Sequence, residues 1–271
     1  MFTIREYAMP ETLDEAYTIL KSRKGNQILG GCAWLRLGKK RINIAVDLTK
    51  CGLDYIREDD EQIEIGAMTS YRSVETCDIL KKYFNGVIAD SVSSIIGTQF
   101  RNTVTVGGSV YGRFGFSDFL TPLLALDTSV VLYKRGSISL ETFMTMPYEK
   151  EIIEKIVIKK DGRKSSYQMF RNSRGDFPIL NLAASRTEAG QWIVTVGARG
   201  PKAIRAEKTA AFLSDKLSQK ALKAEDVEAV IQGEILVSEV TFTSNMRASA
   251  EYRRILGKVL LGKAVREVMA C

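Results

Sequence analysis

The 271-residue sequence contains no histidine. That absence removes the Ser-His-Asp triad, the Cys-His pair and every histidine-ligated metal site, each of which needs an imidazole as base or ligand. Cysteine is scarce as well. Cys32, Cys51, Cys77 and Cys271 are scattered without a CxxC, which argues against a disulfide framework, a zinc knuckle or an iron–sulfur cluster on this chain and implies a reducing compartment. No apolar run approaches the ~18 residues of a membrane span. The opening MFTIREYAMPET has no basic segment followed by an apolar one, so a cytoplasmic protein without membrane attachment is expected. There is no GxGxxG, and no Gly-Lys-Ser/Thr follows a glycine pair, which excludes the P-loop of a nucleoside triphosphatase.

Charge is only mildly unbalanced, with 39 basic against 32 acidic residues. The densest basic region, Arg247 to Arg266, alternates with leucine and valine at helical spacing and is expected to be a solvated helix face, not a nucleic-acid stripe. With no side chain able to carry out hard chemistry, the chain needs a borrowed reagent, which points to an organic cofactor positioned by the protein.

What is present is organised around Gly97 to Asp127. Val104 and Val106 alternate with Thr103 and Thr105, predicting a strand that stops at Gly107-Gly108. Two glycines there would leave consecutive N–H groups uncovered, able to hold a diphosphate, or would simply make a tight turn. Ser117 and Asp118 read as the N-cap and first-turn carboxylate of a helix over the apolar run Phe119 to Leu126. The same pattern occurs earlier, where the short strand Gln27 to Leu29 ends at Gly30-Gly31 and continues as Cys32-Ala33-Trp34-Leu35. Two such pairs are the stronger signal, because a diphosphate without an aimed lysine must be held by many amides, each worth roughly 1.5 to 3 kcal/mol.

Elsewhere the pattern predicts a strand at Phe2 to Tyr7 and a helix opened by a Thr12/Glu15 capping box, with Leu13, Ala16, Tyr17 and Leu20 on one face. A strand at Ile42 to Leu48 and a hairpin over Tyr55 to Ile65, turning at Asp59-Asp60, follow. Ser70 can cap the next helical stretch, Val74 to Phe84, which Asn85-Gly86 separates from Val87 to Ile96. Three more hairpins are expected: Ser129 to Leu140; Ile152 to Ile158 with Ser166 to Phe170; and Ile179 to Ser185 with Trp192 to Val196. Helices at Ala206 to Leu213, Ala224 to Ile231 and Ser249 to Val268 close the chain. The fold class is α+β with mixed sheets.

These segments carry a resemblance. Ile28-Leu29-Gly30-Gly31-Cys32-Ala33-Trp34-Leu35, Ile65 to Thr69, Gln99 to Ser109, Leu123 to Asp127 and Ser249-Ala250-Glu251-Tyr252-Arg253, in this order, resemble the FAD-binding or medium subunit of the molybdenum hydroxylases, the group of xanthine dehydrogenase and aerobic carbon monoxide dehydrogenase. The resemblance implies a two-subdomain FAD-binding fold of the vanillyl-alcohol-oxidase (PCMH) type. Its subdomains would be 1–58 and 59–160, with FAD in the groove between them, followed by a C-terminal domain, 161–271, of a small sheet and helices. Carried over by residue, Ile28 to Leu35 would wrap the diphosphate from one side, and Thr105, Gly107, Gly108 and Ser109 would hold it from the other. Asp118 would contact FAD, Ile153 would lie beside the isoalloxazine, and Arg171 would stand at the flavin edge.

The implied function is electron transfer: a [2Fe–2S] subunit fed by a molybdopterin-binding subunit would deliver electrons, and the flavin would pass them to NAD+ or another acceptor. A self-contained FAD oxidoreductase and a flavin-free scaffold of the same fold are the alternatives. The chain departs from the family where Cys32 replaces threonine or glutamine, where Ser109 replaces asparagine, and where Tyr111 to Phe116 replaces a small, proline-containing loop. Cys32 is expected to be a small buried residue and not a redox group. Trp34 and Tyr111 could pack or touch the flavin.

Overall fold

A computed structural model describes residues 1–217 and 234–270. They form two compact units. The first comprises 1–76, 97–112 and 128–158, and the second comprises 77–96, 113–127 and 159 onwards.

In the first unit, β1 (Thr3–Ala8), β2 (Gln27–Leu29) and β3 (Arg41–Asp47) make a parallel sheet in the order β1-β3-β2. Parallel neighbours need a crossover, supplied by the helix Leu13–Ser22. Thr12 starts it by accepting the Glu15 N–H at 3.2 Å, while Glu15 turns back to the Glu11 N–H at 3.2 Å. Asn26, 4% exposed, ties the helix to the sheet: its amide donates to Ile19 O at 2.6 Å and accepts from Ile44 N at 3.1 Å. The register sets Ile28 beside Val46 and Leu29 beside Asp47, so the chain leaves the sheet at Gly30.

The same unit holds a five-stranded sheet in the order β4-β5-β8-β6-β7, built from β4 (Ile56–Glu58), β5 (Gln62–Gly66), β6 (Thr128–Leu132), β7 (Gly136–Ser139) and β8 (Ile153–Lys159). The hairpin at Asp59-Asp60 forms as expected, with Asp59 Oδ1 accepting from Glu61 N at 2.9 Å and Gln62 N at 2.8 Å. In the second unit, β9 (Lys164–Phe170), β10 (Leu180–Arg186), β11 (Trp192–Gly197) and β12 (Ile204–Arg205) form an antiparallel sheet. Leu182, Val194 and Val196 pack against Leu213 of the helix Glu207–Lys216 and against Leu260 and Val265 of the helix Ala250–Ala270.

Several expectations are corrected. No strand runs through Val104 to Val106. A helix, Thr98–Thr103, precedes it, a single bridge joins Thr105 to Ser70, and a helix begins at Val106. Val104, Thr105 and Val106 are all buried, so the Thr/Val alternation does not sort into two faces, and the Thr105 side chain caps a helix where its β-propensity suggested a strand. The expected hairpin of Ile152 to Ile158 with Ser166 to Phe170 does not form: Gly162 between the two strands does bend left-handed, at φ 71°, yet β8 pairs with β6 while β9 pairs with β10. Turn residues bend a chain without deciding what its arms pair with. The helical reading of Val74 to Phe84 breaks into Tyr71–Thr76 and Asp78–Lys82, and Phe84, Asn85 and Gly86 turn left-handed at φ 54°, 59° and 72°. The expected helix Ala224 to Ile231 lies outside the described residues.

The basic run near the C-terminus is not wholly solvated. Arg253 is 1% exposed. Its guanidinium donates to Ile179 O at 2.9 Å, Ala248 O at 3.1 Å, Asn245 Oδ1 at 2.7 Å and Thr243 O. A buried charge is tolerable when its donors are satisfied in this way, so the Ser249 to Arg253 segment closes the preceding loop onto the sheet.

In the five-stranded sheet Glu64, 8% exposed, takes Arg57 Nη2 at 2.6 Å and Lys155 Nζ at 2.5 Å. Burial pushes its carboxyl up, but the hydrogen bonds from Lys155 and Arg57 outweigh that and hold it below the ordinary value. A folded pKa below the unfolded one stabilises fully above the unfolded value, about 4.3, and is lost as pH falls through the folded value. Glu64→Gln should therefore cost about 2 kcal/mol at pH 7, and that deficit should shrink as the medium is taken to about pH 3. Urea unfolding of both proteins across this range checks it, and a deficit independent of pH would sink the argument.

Candidate functional site

Both glycine segments lie in the first unit, and they cross. A Cβ on Gly30 would sit 3.0 Å from the Gly108 Cα, and a Cβ on Gly108 would sit 2.5 Å from the Gly30 carbonyl oxygen. Only hydrogen at both positions allows the backbones this close. Gly31, at φ 70°, passes so near the Thr103 carbonyl that a Cβ would lie 2.1 Å from it.

The two pairs do different work. The N–H groups of Gly107 and Gly108 are not bare donors: Gly107 donates to Ala67 O at 2.7 Å and Gly108 to Thr105 Oγ1 at 3.2 Å. Thr105 is the cap of the helix Val106–Gly112, and its carbonyl also takes the Ser109 N–H at 3.1 Å and hydroxyl at 2.9 Å. A Cβ on Gly107 would land 2.7 Å from that of Ala67. Gly107 therefore serves packing, which corrects the expectation of consecutive bare amides there. The other segment supplies them. Among the described residues, no acceptor stands opposite the N–H groups of Gly31, Cys32 and Ala33. Consecutive unpaired amides around left-handed residues make an anion cradle, and Cys32 continues the left-handed turn at φ 55°. Its thiol is held above the usual range by burial and then by the Asp47 carboxylate, so it stays protonated and is a poor nucleophile.

Ile28, Gly30, Thr105, Gly107, Gly108 and Ile153 line one cavity of about 210 Å³. Leu29 lies in β2, and Trp34 and Leu35 lead into a short 3-10 turn, with Trp34 42% exposed. Tyr111 also borders the cavity, its hydroxyl donating to Glu149 O at 3.0 Å. Sequence reasoning missed Lys24, Lys40 and Lys150 on this wall. Each comes from a turn or strand end, and only the fold draws them together. Gln27, also on the wall, keeps a buried Oε1 with no donor.

Asp118 and Arg171 belong to the second unit, where they meet. Arg171 Nη2 donates to Asp118 Oδ1 at 2.9 Å, with both side chains 8% exposed. The Tyr167 hydroxyl donates to the same oxygen, and Asn181 Nδ2 donates to Tyr167 at 3.1 Å. Burial pushes the Asp118 carboxyl up, with Arg171 and Tyr167 pulling it back. Tyr167 is driven well above its ordinary value by burial and then by Asp118, so it remains a hydroxyl donor. No described residue donates to Asp118 Oδ2. Ser117 caps the next helix as expected, accepting from Leu120 N at 3.1 Å. Tyr167 had no sequence signal, since its partner is 49 residues away.

The first unit thus holds a parallel sheet, a five-stranded sheet and the Gly30/Gly108 crossing, and the second holds an antiparallel sheet covered by helices, which makes the chain an α+β protein. Residues 2–160 match the family described as the FAD binding domain in molybdopterin dehydrogenase, and residues 165–268 match the CO dehydrogenase flavoprotein C-terminal domain. The chain belongs to this family, the FAD-binding medium subunits of the molybdenum hydroxylases, and its cofactor is FAD. It is 26% identical to the glyceraldehyde dehydrogenase medium chain of Sulfolobus acidocaldarius, covering 97% of each chain. It is 23% identical to a xanthine dehydrogenase FAD-binding subunit of Escherichia coli O157:H7, covering 100% of this chain and 98% of the other. Carbon monoxide dehydrogenase from Hydrogenophaga pseudoflava contains a chain of the same fold, with a TM-score of 0.85 at 22% identity over 100% of this chain and 99% of that one.

The glycine crossing makes a specific expectation. Gly108→Ala should force the Gly30 carbonyl aside at a cost of about 1–3 kcal/mol, shift the Gly31 to Ala33 amides and weaken FAD binding by about ten-fold or more. Titrating apoprotein with FAD by flavin fluorescence measures this. A variant that unfolds earlier yet binds FAD normally would show the crossing to be scaffold alone.

Proposed function

We propose that the chain is the electron-transfer subunit of a molybdopterin-dependent hydroxylase or dehydrogenase complex. It would take electrons from a [2Fe–2S] subunit served by a molybdopterin-binding subunit and pass them to NAD+ or another acceptor. The observation that carries this reading is the cradle of unpaired amides at Gly31 to Ala33 over the Gly30/Gly108 crossing, in a chain without histidine. The relatives support it, since two are named as a medium chain and an FAD-binding subunit.

FAD, when bound, accepts electrons singly or in pairs, which suits a relay between one-electron and two-electron partners. The protein's part is to bind and orient. In this reading Ile28 to Leu35 wrap the diphosphate, with Gly31, Cys32 and Ala33 donating N–H groups, while Thr105, Gly107, Gly108 and Ser109 close the opposite side through packing. Ile153 offers an apolar wall to the isoalloxazine. Asp118, its Oδ1 held by Arg171 and Tyr167, presents Oδ2 as an acceptor, and Arg171 places positive charge beside it. Residues 1–58 and 59–160 act as the two flavin-binding subdomains and 161–271 as the C-terminal domain. A cytoplasmic location goes with this role; among the described residues, no helix is long and apolar enough to cross a membrane.

Two outcomes are expected. Acid precipitation should release all the flavin as FAD, since there is no histidine to carry a covalent link and the Cys32 thiol is held protonated; flavin left in the precipitate would contradict this. The isolated chain mixed anaerobically with purines, nicotinate or aldehydes should keep its oxidised flavin absorption, and adding the iron–sulfur and molybdenum subunits should bleach it. Bleaching of the lone chain at a turnover-relevant rate would replace the subunit reading with a self-contained oxidoreductase.

A further inference from the structure

The cavity in the first unit carries a charge imbalance that the glycine segments do not explain. Lys24, Lys40 and Lys150 line it against one carboxylate, Glu151, so three ammonium groups less one carboxylate leave a charge of +2 on its wall. Glu151 Oε1 is occupied by the Ile152 N–H at 2.9 Å. Lys150 is anchored at the end of the helix Leu13–Ser22, donating to Leu20 O at 3.2 Å and to Arg23 O, where the helix dipole favours a cation. Burial and then the charges of Lys21 and Lys40 make its ammonium easier to deprotonate, a sign that cations crowd here. Lys24 and Lys40 are exposed, and among the described residues neither makes an ion pair.

Backbone amides can hydrogen-bond a diphosphate but carry no net charge to neutralise it. Ammonium groups on flexible stems can do so as point charges. The cavity wall carries the lysines up to the glycine crossing, with Gly30, Thr105 and Gly108 in its lining, and the unpaired amides begin at Gly31, the residue bonded to Gly30. We propose that Lys24 and Lys40 are counter-ions of the FAD diphosphate, closing over it from the connection between the helix Leu13–Ser22 and β2 and from the β2–β3 connection, while Lys150 stays tied to the helix end. This rests on the assignment of the Gly31 to Ala33 amides, beside the Gly30/Gly108 crossing, as the diphosphate cradle. It adds two side chains that lie outside the glycine segments and that no strand or turn pattern marks.

The two contributions differ in their response to salt. Charge pairing at an exposed site is screened as ionic strength rises, whereas the amide hydrogen bonds and the packing of the crossing are screened much less. Apoprotein titrated with FAD by fluorescence at low and at high salt separates them. Wild type should lose affinity as salt rises. Lys24→Met with Lys40→Met, which keeps the aliphatic stems, should bind about ten-fold more weakly at low salt and match wild type at high salt. Lys39→Met, a neighbouring exposed lysine off the cavity wall, should behave as wild type. A double variant with unchanged affinity at both salts would overturn the proposal, and so would a deficit that persists at high salt, which would mean the stems act through packing. Wild-type apoprotein that failed to take up FAD at either salt would instead overturn the cradle assignment.

Discussion

The contact on which the first unit's site depends is backbone on backbone, with Gly30 resting against Gly108. Apart from the Thr105 hydroxyl, which takes the Gly108 N–H, what maintains it is the scaffold on either side. The parallel sheet delivers Gly30 at the end of β2 by pairing Leu29 with Asp47. The Thr105 cap, the Gly107 bond to Ala67 and the Val106 bond to Thr69 at 2.9 Å deliver Gly108 at the start of a helix. Because the second segment spends its amides on its own fold, the first can leave three unpaired. A buried unpaired amide is expensive, and residues 30 to 33 are only half-buried, which is the condition under which a ligand anion can replace water on those groups.

The second unit uses opposite means. A buried carboxylate there is held by side chains, with Arg171, Tyr167 and Asn181 forming a connected network on Asp118 in which the shared oxygen takes two donors. Such a network fixes a charged group in a dry place because each member satisfies the next. Arg253 plays the same part at the C-terminal loop, where one guanidinium closes four acceptors. The +7 excess of the chain is therefore not all surface charge. Part of it is structural cation in the second unit, and part lines the cavity of the first.

The elements that were legible in the sequence are those specified by neighbours along the chain. The Thr12 cap, the Asp59 turn, the hairpins of Ser129 to Leu140 and of Ile179 to Ser185 with Trp192 to Val196, and the Ser117 cap all depend on residues within a few positions, and all stand where the pattern put them. The glycine pairs were visible too, as a pattern asking for close approach. What they approach was not visible. The unpaired amides belong to Gly31 to Ala33, while the N–H of Gly107 is claimed by Ala67, forty residues away, and that of Gly108 by the nearby Thr105 cap, and alternation at Thr103 to Val106 reveals neither claim.

By itself, the sequence determined that this chain would need a borrowed redox group, since it has no histidine and no clustered cysteine, and through its ordered segments it determined the family and FAD as the cofactor. Only the tertiary structure decided that β8 and β9 part into different sheets, that Asp118 and Arg171 form one buried pair, and that three lysines from separate connections share a cavity with the glycine crossing. The reason is physical. Local hydrogen bonding and backbone freedom are written into short stretches, whereas pairing, burial and charge proximity are set by which surfaces meet when the core closes, and those partners lie tens of residues apart.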